Sequence, residues 1–411
     1  MKKLSLLLII FLMPIADADS PAVSISAPAM NVPWVVGGSY TYTLTGLMTF
    51  PNPVSVSITA PANFLVSSHC PYAPSLNNTC TFTLTPTEKG TFQGSVNVHL
   101  NARNSFSPAP TELNVSVLEN TIYISNYSNN SITRCKVTAS GSLSACRSAG
   151  DLSFSQPTAI ALNPFNTFAY IGSDGRGLYK CSVNSETGLI NAGDCSSATT
   201  YNLSRPYSIV FNANRVIAYV SNNDTGKIAR CIVFDNNLTC ADSGASEIVN
   251  PYSIVINPAE NLLYVADRAG AVKQCRINQN STLSNCTNAM NDGYVFAEPT
   301  GITLNAAGTY AYITDLSTNK VSECAVDPSG TSSHTLSNCS LTATGGQALD
   351  APVGISLNSA GTMAYITNLN YSTSGAVLAC PVKSNHTLGS CSVAGDGFTF
   401  DSPFGIFMAL G

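Results

Sequence analysis

Cysteines in this 411-residue chain come in pairs, and the pairs keep step with two other residue types. Cys135 with Cys146, Cys181 with Cys195, Cys231 with Cys240, Cys275 with Cys286, Cys324 with Cys339 and Cys380 with Cys391 recur every 44 to 56 residues. A proline opens each unit at Pro157, Pro206, Pro251, Pro299, Pro352 and Pro403. Thirteen residues after each of the first five stands a tyrosine, at Tyr170, Tyr219, Tyr264, Tyr312 and Tyr365, and a further copy stands at Tyr123. A period in this range signals stacked or radial repeats. The constant proline-to-tyrosine spacing implies a rigid two-strand hairpin, because a slip of one residue would turn every side chain to the opposite face.

Each unit reads as four short strands. The first runs from the proline, as in Pro157-Thr158-Ala159-Ile160-Ala161-Leu162, and the second carries the tyrosine. The third holds the first cysteine and the fourth the second. Four alternating, Val/Ile/Tyr-rich runs in about 45 residues describe a β-propeller blade. The three- and four-residue apolar spacing of a helical repeat is missing.

The ends of the repeat region fit together. The first unit starts at Thr121-Ile122-Tyr123 with its second strand, and the chain finishes on a lone proline strand, Ser402-Pro403-Phe404-Gly405-Ile406-Phe407-Met408-Ala409-Leu410. Pairing the surplus strand with the incomplete unit closes a ring and removes the exposed edges of a linear array. The expected fold is all-β: a six-bladed propeller over 121–411, closed by the C-terminal strand.

These units resemble the YVTN and NHL propeller repeats of the lactonase-like superfamily. The best copies are Pro299-Thr300-Gly301-Ile302-Thr303-Leu304-Asn305 with Ala311-Tyr312-Ile313-Thr314-Asp315, and Pro352-Val353-Gly354-Ile355 with Tyr365-Ile366-Thr367-Asn368. The resemblance implies a ligand face at one mouth of the central tunnel. It leaves activity open, since the families include gluconolactonase-like enzymes as well as binding modules. A cysteine pair in every blade departs from their common pattern.

Residues 19–118 share none of this periodicity. Alternating runs such as Ser39-Tyr40-Thr41-Tyr42-Thr43-Leu44 and Cys80-Thr81-Phe82-Thr83-Leu84 read as half-buried strands, about seven in all, as in a β-sandwich. In outline this segment resembles a bacterial Ig-like module. Its own pair, Cys70 with Cys80, is too local for the inter-sheet bridge of antibody domains.

Residues 1–18 read as a signal peptide: Lys2 and Lys3, an apolar stretch to Ile15, and the small-x-small site Ala16-Asp17-Ala18. That stretch is shorter than the roughly 20 residues a bilayer requires. Fourteen cysteines in an exported chain form a disulfide framework by default, and the short Lys-Lys-led signal looks bacterial. Bridges within each consecutive pair are expected. Periplasm or extracellular space is the expected location, with no membrane insertion after cleavage. Charged residues are only 10% of the chain and the net charge is −5, a balance unsuited to displacing counterions from nucleic acid.

Chemical motifs are thin. The four histidines, His69, His99, His334 and His386, do not converge on a propeller axis, the cysteines are committed to pairs, and neither a Gly-x-Ser-x-Gly elbow nor a P-loop occurs. Position on the ring is more informative. Residues just before each proline are Gln156, Arg205, Asn250, Glu298, Ala351 and Ser402; those just after are Thr158, Tyr207, Tyr252, Thr300, Val353 and Phe404. The next position is small in every unit, as six crowded inner strands require. Arg205, Tyr207, Asn250, Tyr252 and Glu298 break the sixfold sameness in three successive units and form the candidate ligand site. Asn126, Asn222, Asp267, Asp315 and Asn368, which end the second strands, read as turn residues that bond their own backbone.

Two functions are compatible with this pattern. One is a non-enzymatic module that binds a protein, peptide or glycan and needs no cofactor. The other is a metal-dependent lactone or ester hydrolase, with a divalent cation held by Asn250, Asp267 and Glu298 to activate water.

Overall fold

The computed structural model describes residues 24–26, 34–35, 40–45, 55–68, 79–87, 90–101, 111–118 and 120–409, the last apart from 139, 151–154, 164–165, 185–186, 215, 291, 331–333, 343–344 and 370–374. The expected signal peptide and Cys70 lie outside these residues. Among the described residues no helix is long and apolar enough to cross a membrane. The protein is all-β and divides into two compact units.

The N-terminal part forms two four-stranded sheets. One has the order Ser24–Ser26, Tyr40–Thr45, Thr79–Pro86, Phe64–Ser68, and the other Trp34–Val35, Thr111–Leu118, Gly90–Asn101, Ser55–Thr59. Alternation in sequence becomes alternation in burial: Tyr40, Tyr42 and Leu44 are buried, as are Phe82 and Leu84 on the paired strand. Tyr42 and Phe82 stack with ring centroids 5.0 Å apart. Cys80 is disulfide-bonded.

The repeats form six four-stranded antiparallel sheets, numbered here from the first repeat to the sixth. Sheet one comprises Leu143–Ser148, Ser131–Val137, Thr121–Asn126 and, last in the order, Pro403–Ala409. The C-terminal strand therefore completes the first repeat, pairing Phe407 with Tyr123 and Ala409 with Thr121. Sheets two to six begin at Pro157, Pro206, Pro251, Pro299 and Pro352. Proline suits the first residue of a strand, where its missing N–H removes no ladder bond.

Apolar clusters join the sheets in cyclic order. Tyr123 and Ile132 of sheet one pack with Ile160 and Ile171 of sheet two. The series continues around to Tyr365 and Val377 of sheet six, which pack with Ile122, Ile124 and Val137 of sheet one. At the axis, a Cβ on Gly354 would stand 2.6 Å from the Phe404 carbonyl oxygen, so the backbones of sheets six and one meet where only glycine fits.

All six repeats carry the disulfide expected from their cysteine spacing. Cys135 is bonded to Cys146, Cys181 to Cys195 and Cys231 to Cys240. Cys275 is bonded to Cys286, Cys324 to Cys339 and Cys380 to Cys391. The expectation that the second cysteine sits on the fourth strand holds for Cys146, Cys240, Cys286 and Cys339. It fails for Cys195 and Cys391, which stand one residue ahead of it. In those two sheets the fourth strand is only two residues long, so the bridge fastens the approach to the strand instead.

The tyrosine column forms a second set of joints. Tyr123, Tyr170, Tyr219, Tyr264, Tyr312 and Tyr365 are almost completely buried. Five of them donate their hydroxyl to a backbone carbonyl in the outer hairpin of the neighbouring sheet: Gly188, Asn236, Ser281, His386 and Gly141, at 2.6 to 2.8 Å. Tyr264 instead pairs with the Thr335 hydroxyl at 2.6 Å. Each acceptor loop lies between the two cysteines of its repeat. The disulfide thus holds together the hairpin that receives the neighbouring tyrosine. The loop containing His386 is therefore structural, and the His386 ring also stacks on Tyr310 at 3.9 Å.

Candidate functional site

The residues flanking each proline are held by a bond common to all six sheets. The residue after the second strand donates its N–H to the carbonyl of the residue before the proline, at 2.9 to 3.1 Å. The donors are Tyr127, Asp174, Asn223, Arg268, Leu316 and Leu369, and the acceptors are Ser402, Gln156, Arg205, Asn250, Glu298 and Ala351. This donor column belongs to the same mouth, and reading the repeats alone misses it. Its signal is present in the sequence, since each member directly follows the Tyr-Ile/Val-small-Asn/Asp motif or its local variant.

The mouth has an apolar side and a polar side. Tyr252, Ala351, Val353, Leu369 and Phe404 form a buried cluster, against which Tyr127, Tyr207 and Leu316 pack. Tyr207 lies 4.5 Å from Tyr252 and 5.3 Å from Phe404, centroid to centroid. The two tyrosines of the candidate ligand site are thus brought together, but largely against one another. Tyr252 is buried, and Arg268 stands over its ring at 5.3 Å.

Two arginines, each held in ion pairs, flank the aromatics. On one side Arg205 Nε meets Asp174 Oδ1 at 2.8 Å and Asp224 Oδ1 at 3.6 Å. Tyr127 donates its hydroxyl to Asp174 Oδ2 at 2.8 Å. Burial, reinforced by that bond and the Asp174 charge, pushes the Tyr127 hydroxyl up to about 12. The Asp174 carboxylate holds the Arg205 guanidinium above its ordinary value. On the other side Arg268 bonds Glu298 Oε2 through Nη2 at 3.1 Å and Nε at 3.3 Å, and the Tyr252 hydroxyl through Nη1 at 2.8 Å. Burial drives Tyr207 upward as well, so the mouth presents neutral phenols between paired charges at neutral pH.

The residues ending the second strands hold the loop that leads into the proline. Asp267 accepts from Val249 N at 3.0 Å through Oδ2, and from Asn250 N at 2.8 Å and Ala269 N at 3.2 Å through Oδ1. Asn222 accepts from Ser204 N and Arg205 N, Asp315 from Ala297 N and Glu298 N, and Asn368 from Asp350 N. Their main partners lie 17 and 18 positions upstream rather than within their own turn, because the hairpin folds the pre-proline loop onto the strand end. Both Asp267 oxygens are engaged, and Glu298 is committed to Arg268. Among the described residues no three His, Cys, Asp or Glu side chains gather as a metal site.

Backbone geometry also separates the polar units from the rest. Gln156, Ala351 and Ser402 adopt left-handed conformations, with φ of 48°, 53° and 49°, whereas Arg205, Asn250 and Glu298 do not. Gln156 and Ala351 donate their N–H to Asn130 and Asn319 from the neighbouring sheet, while the three polar residues donate theirs to the strand-ending residue of their own sheet. Arg205 and Asn250 are exposed and Glu298 is half-buried.

Neither a family model nor a curated protein matches the sequence. Solved structures do match in fold. A candidate 6-phosphogluconolactonase from Bacteroides fragilis is 13% identical with a TM-score of 0.52, covering 71% of this chain and 98% of its own. A chain of the nidogen–laminin complex gives 14%, 0.54, 71% and 98%. The periplasmic gluconolactonase of Pseudomonas aeruginosa gives 12%, 0.50, 79% and 98%. At such identities the likeness establishes a propeller-type fold alone.

Proposed function

We propose that this chain is exported and that residues 121–411 form a six-bladed propeller closed by the C-terminal strand, preceded by an Ig-like sandwich. Its function in this reading is to bind a protein, peptide or glycan at the mouth where Arg205, Tyr207, Asn250, Tyr252 and Glu298 stand. The observation that carries the reading is the asymmetry of that mouth. Across three columns of equivalent positions, sheets two to five hold the Arg205–Asp174 and Arg268–Glu298 pairs beside Tyr207, and sheets six and one hold Val353, Leu369 and Phe404. Repetition alone gives no reason for one side to carry paired charges and the other apolar side chains, and a ligand with a polar and an apolar face would account for both. Six disulfides support an oxidising compartment outside the cytoplasm.

A lactone or ester hydrolase is the second reading, favoured by the names of two of the fold neighbours. Asp267 weighs against it, because three backbone N–H groups already occupy most of its acceptor capacity, leaving one lone pair on Oδ2 for a cation. Probing glycan and peptide arrays with the purified protein tests the first reading. Hydrolysis of gluconolactone, measured with and without a chelator, tests the second. Chelator-sensitive turnover with no array binding would reverse the order.

A further inference from the structure

The loops that lead into Pro251 and Pro299 each present one valine to solvent: Val249 is 62% exposed and Val295 81%. Anchored neighbours hold both in place. Ile248 is buried, and the Val249 N–H is bonded to Asp267 Oδ2 at 3.0 Å. Phe296 is buried, and Tyr294 packs edge-on against it while its hydroxyl pairs with Ser322 Oγ at 2.7 Å. Apolar surface fixed in this way needs no ordering before it meets a partner.

A single turn separates the two loops. Arg268 donates its N–H to the Asn250 carbonyl at 2.9 Å, and a Cβ on Gly270 would stand 3.4 Å from the Phe296 carbonyl oxygen. The valine loops therefore border the Arg268–Gly270 turn, one on each side. The other residues two places before a proline are Ser155, Ser204, Ala297, Asp350 and Asp401, small or polar in every case, so Val249 breaks its column as Arg205 and Glu298 break theirs. The same loops carry Glu247 and Asp292, both exposed. Asp292 accepts the Tyr294 N–H at 3.1 Å, and among the described residues neither carboxylate has an ion-pair partner. The guanidinium of Arg268, on the turn between them, is committed to Glu298 and the Tyr252 hydroxyl.

We propose that this valine-and-carboxylate shelf docks a basic segment of a protein partner, one in which Lys or Arg stands beside aliphatic side chains. The proposal rests on recognition at the mouth and names the class of ligand recognised there. Aliphatic side chains of the segment cover Val249 and Val295, and its cations meet Glu247 and Asp292, so charge complementarity sets which segments fit. A valine gives a sugar neither a flat ring to stack on nor a hydrogen bond, and the flat rings of the mouth, Tyr207 and Tyr252, are packed against each other. The shelf therefore selects a peptide rather than a glycan.

Peptide and glycan arrays probed with the purified full chain test this, beside three variants: Val249→Ser with Val295→Ser, Glu247→Gln with Asp292→Asn, and Arg205→Ala. The shelf positions are exposed, so melting temperatures should not change. Captured peptides should be rich in Lys or Arg beside aliphatic residues. Removing the valines should weaken capture about tenfold and erase the aliphatic preference, and removing the two charges should erase the preference for Lys and Arg. Acidic peptides among the best binders, capture of glycans alone or of nothing, or capture unchanged in both paired variants would overturn the proposal. If Arg205→Ala weakens capture and the paired variants do not, the mouth still recognises its ligand and the shelf alone falls. If none of the three weakens it, both readings fall.

Discussion

The Tyr365 hydroxyl donates to the Gly141 carbonyl at 2.6 Å, joining the last repeat to the first across 224 positions of sequence. The Pro403–Ala409 strand pairs with Thr121–Asn126 at the opposite edge of the same sheet, so the first repeat is tied to the end of the chain by both a strand ladder and a side-chain latch. Tyr365→Phe keeps the ring and leaves the Gly141 carbonyl buried without its donor. We expect a loss of about 1 to 3 kcal/mol, read as a lower denaturation midpoint with an unchanged slope. An unaltered midpoint would mean that water replaces the hydroxyl at no cost.

Removing Phe404 to Gly411 exposes the Thr121–Asn126 strand and uncovers Ile122 and Ile124. Such an edge templates further pairing. The truncated protein should express poorly or aggregate, and any soluble fraction should melt well below the full chain. Equal melting temperatures would contradict closure by the C-terminal strand.

Disulfide mapping of the purified protein should recover only bridges within a repeat, such as Cys275 to Cys286 and Cys380 to Cys391. Each closes a loop of 9 to 15 residues, worth at most about 3 kcal/mol by the chain-entropy model. Replacing Cys181 and Cys195 with serine should also loosen the Gly188 loop that receives Tyr123. Faster hydrogen exchange at the junction of sheets one and two would report that coupling, and a change confined to sheet two would refute it.

Much of this architecture was legible because the repeats supply their own alignment. Prolines mark strand starts, cysteines mark the outer hairpin, and the absent and surplus strands point to each other. The tyrosine acceptors were hidden for a physical reason. Outer hairpins differ in length: Gly141, Ser281 and His386 stand six residues after their first cysteine, but Gly188 stands seven after and Asn236 five, so the column is blurred. Arg205 and Glu298 stood out by breaking a column. Their partners Asp174 and Arg268 lie in a different column that varies from repeat to repeat, so no single member looked exceptional. The mutual packing of Tyr207 and Tyr252 depends on how closely six inner strands approach the axis, and spacing along the chain does not encode that distance.

Glu323 links stability to pH. The residue is 7% exposed, and its Oε2 has no hydrogen-bond partner. Burial raises its pKa above the ordinary carboxylate value, with His386 acting in the opposite direction. The folded state therefore retains a proton that the unfolded chain releases. Its contribution is fully present below the unfolded pKa and is lost as pH rises through the folded value. Glu323→Gln should flatten this part of the stability profile and raise stability at neutral pH. Parallel profiles for the two proteins would show that the carboxyl has found a partner.

The central claim is that the polar side of the mouth is the recognition surface. Binding should be measured on the array ligand that the unmodified protein captures best, comparing it with Arg205→Ala and Tyr207→Ala variants whose melting temperatures are unchanged. The account predicts that each variant weakens capture about tenfold or more. Capture that survives both substitutions, yet disappears when residues 19–118 are removed, would place recognition in the N-terminal unit and contradict it.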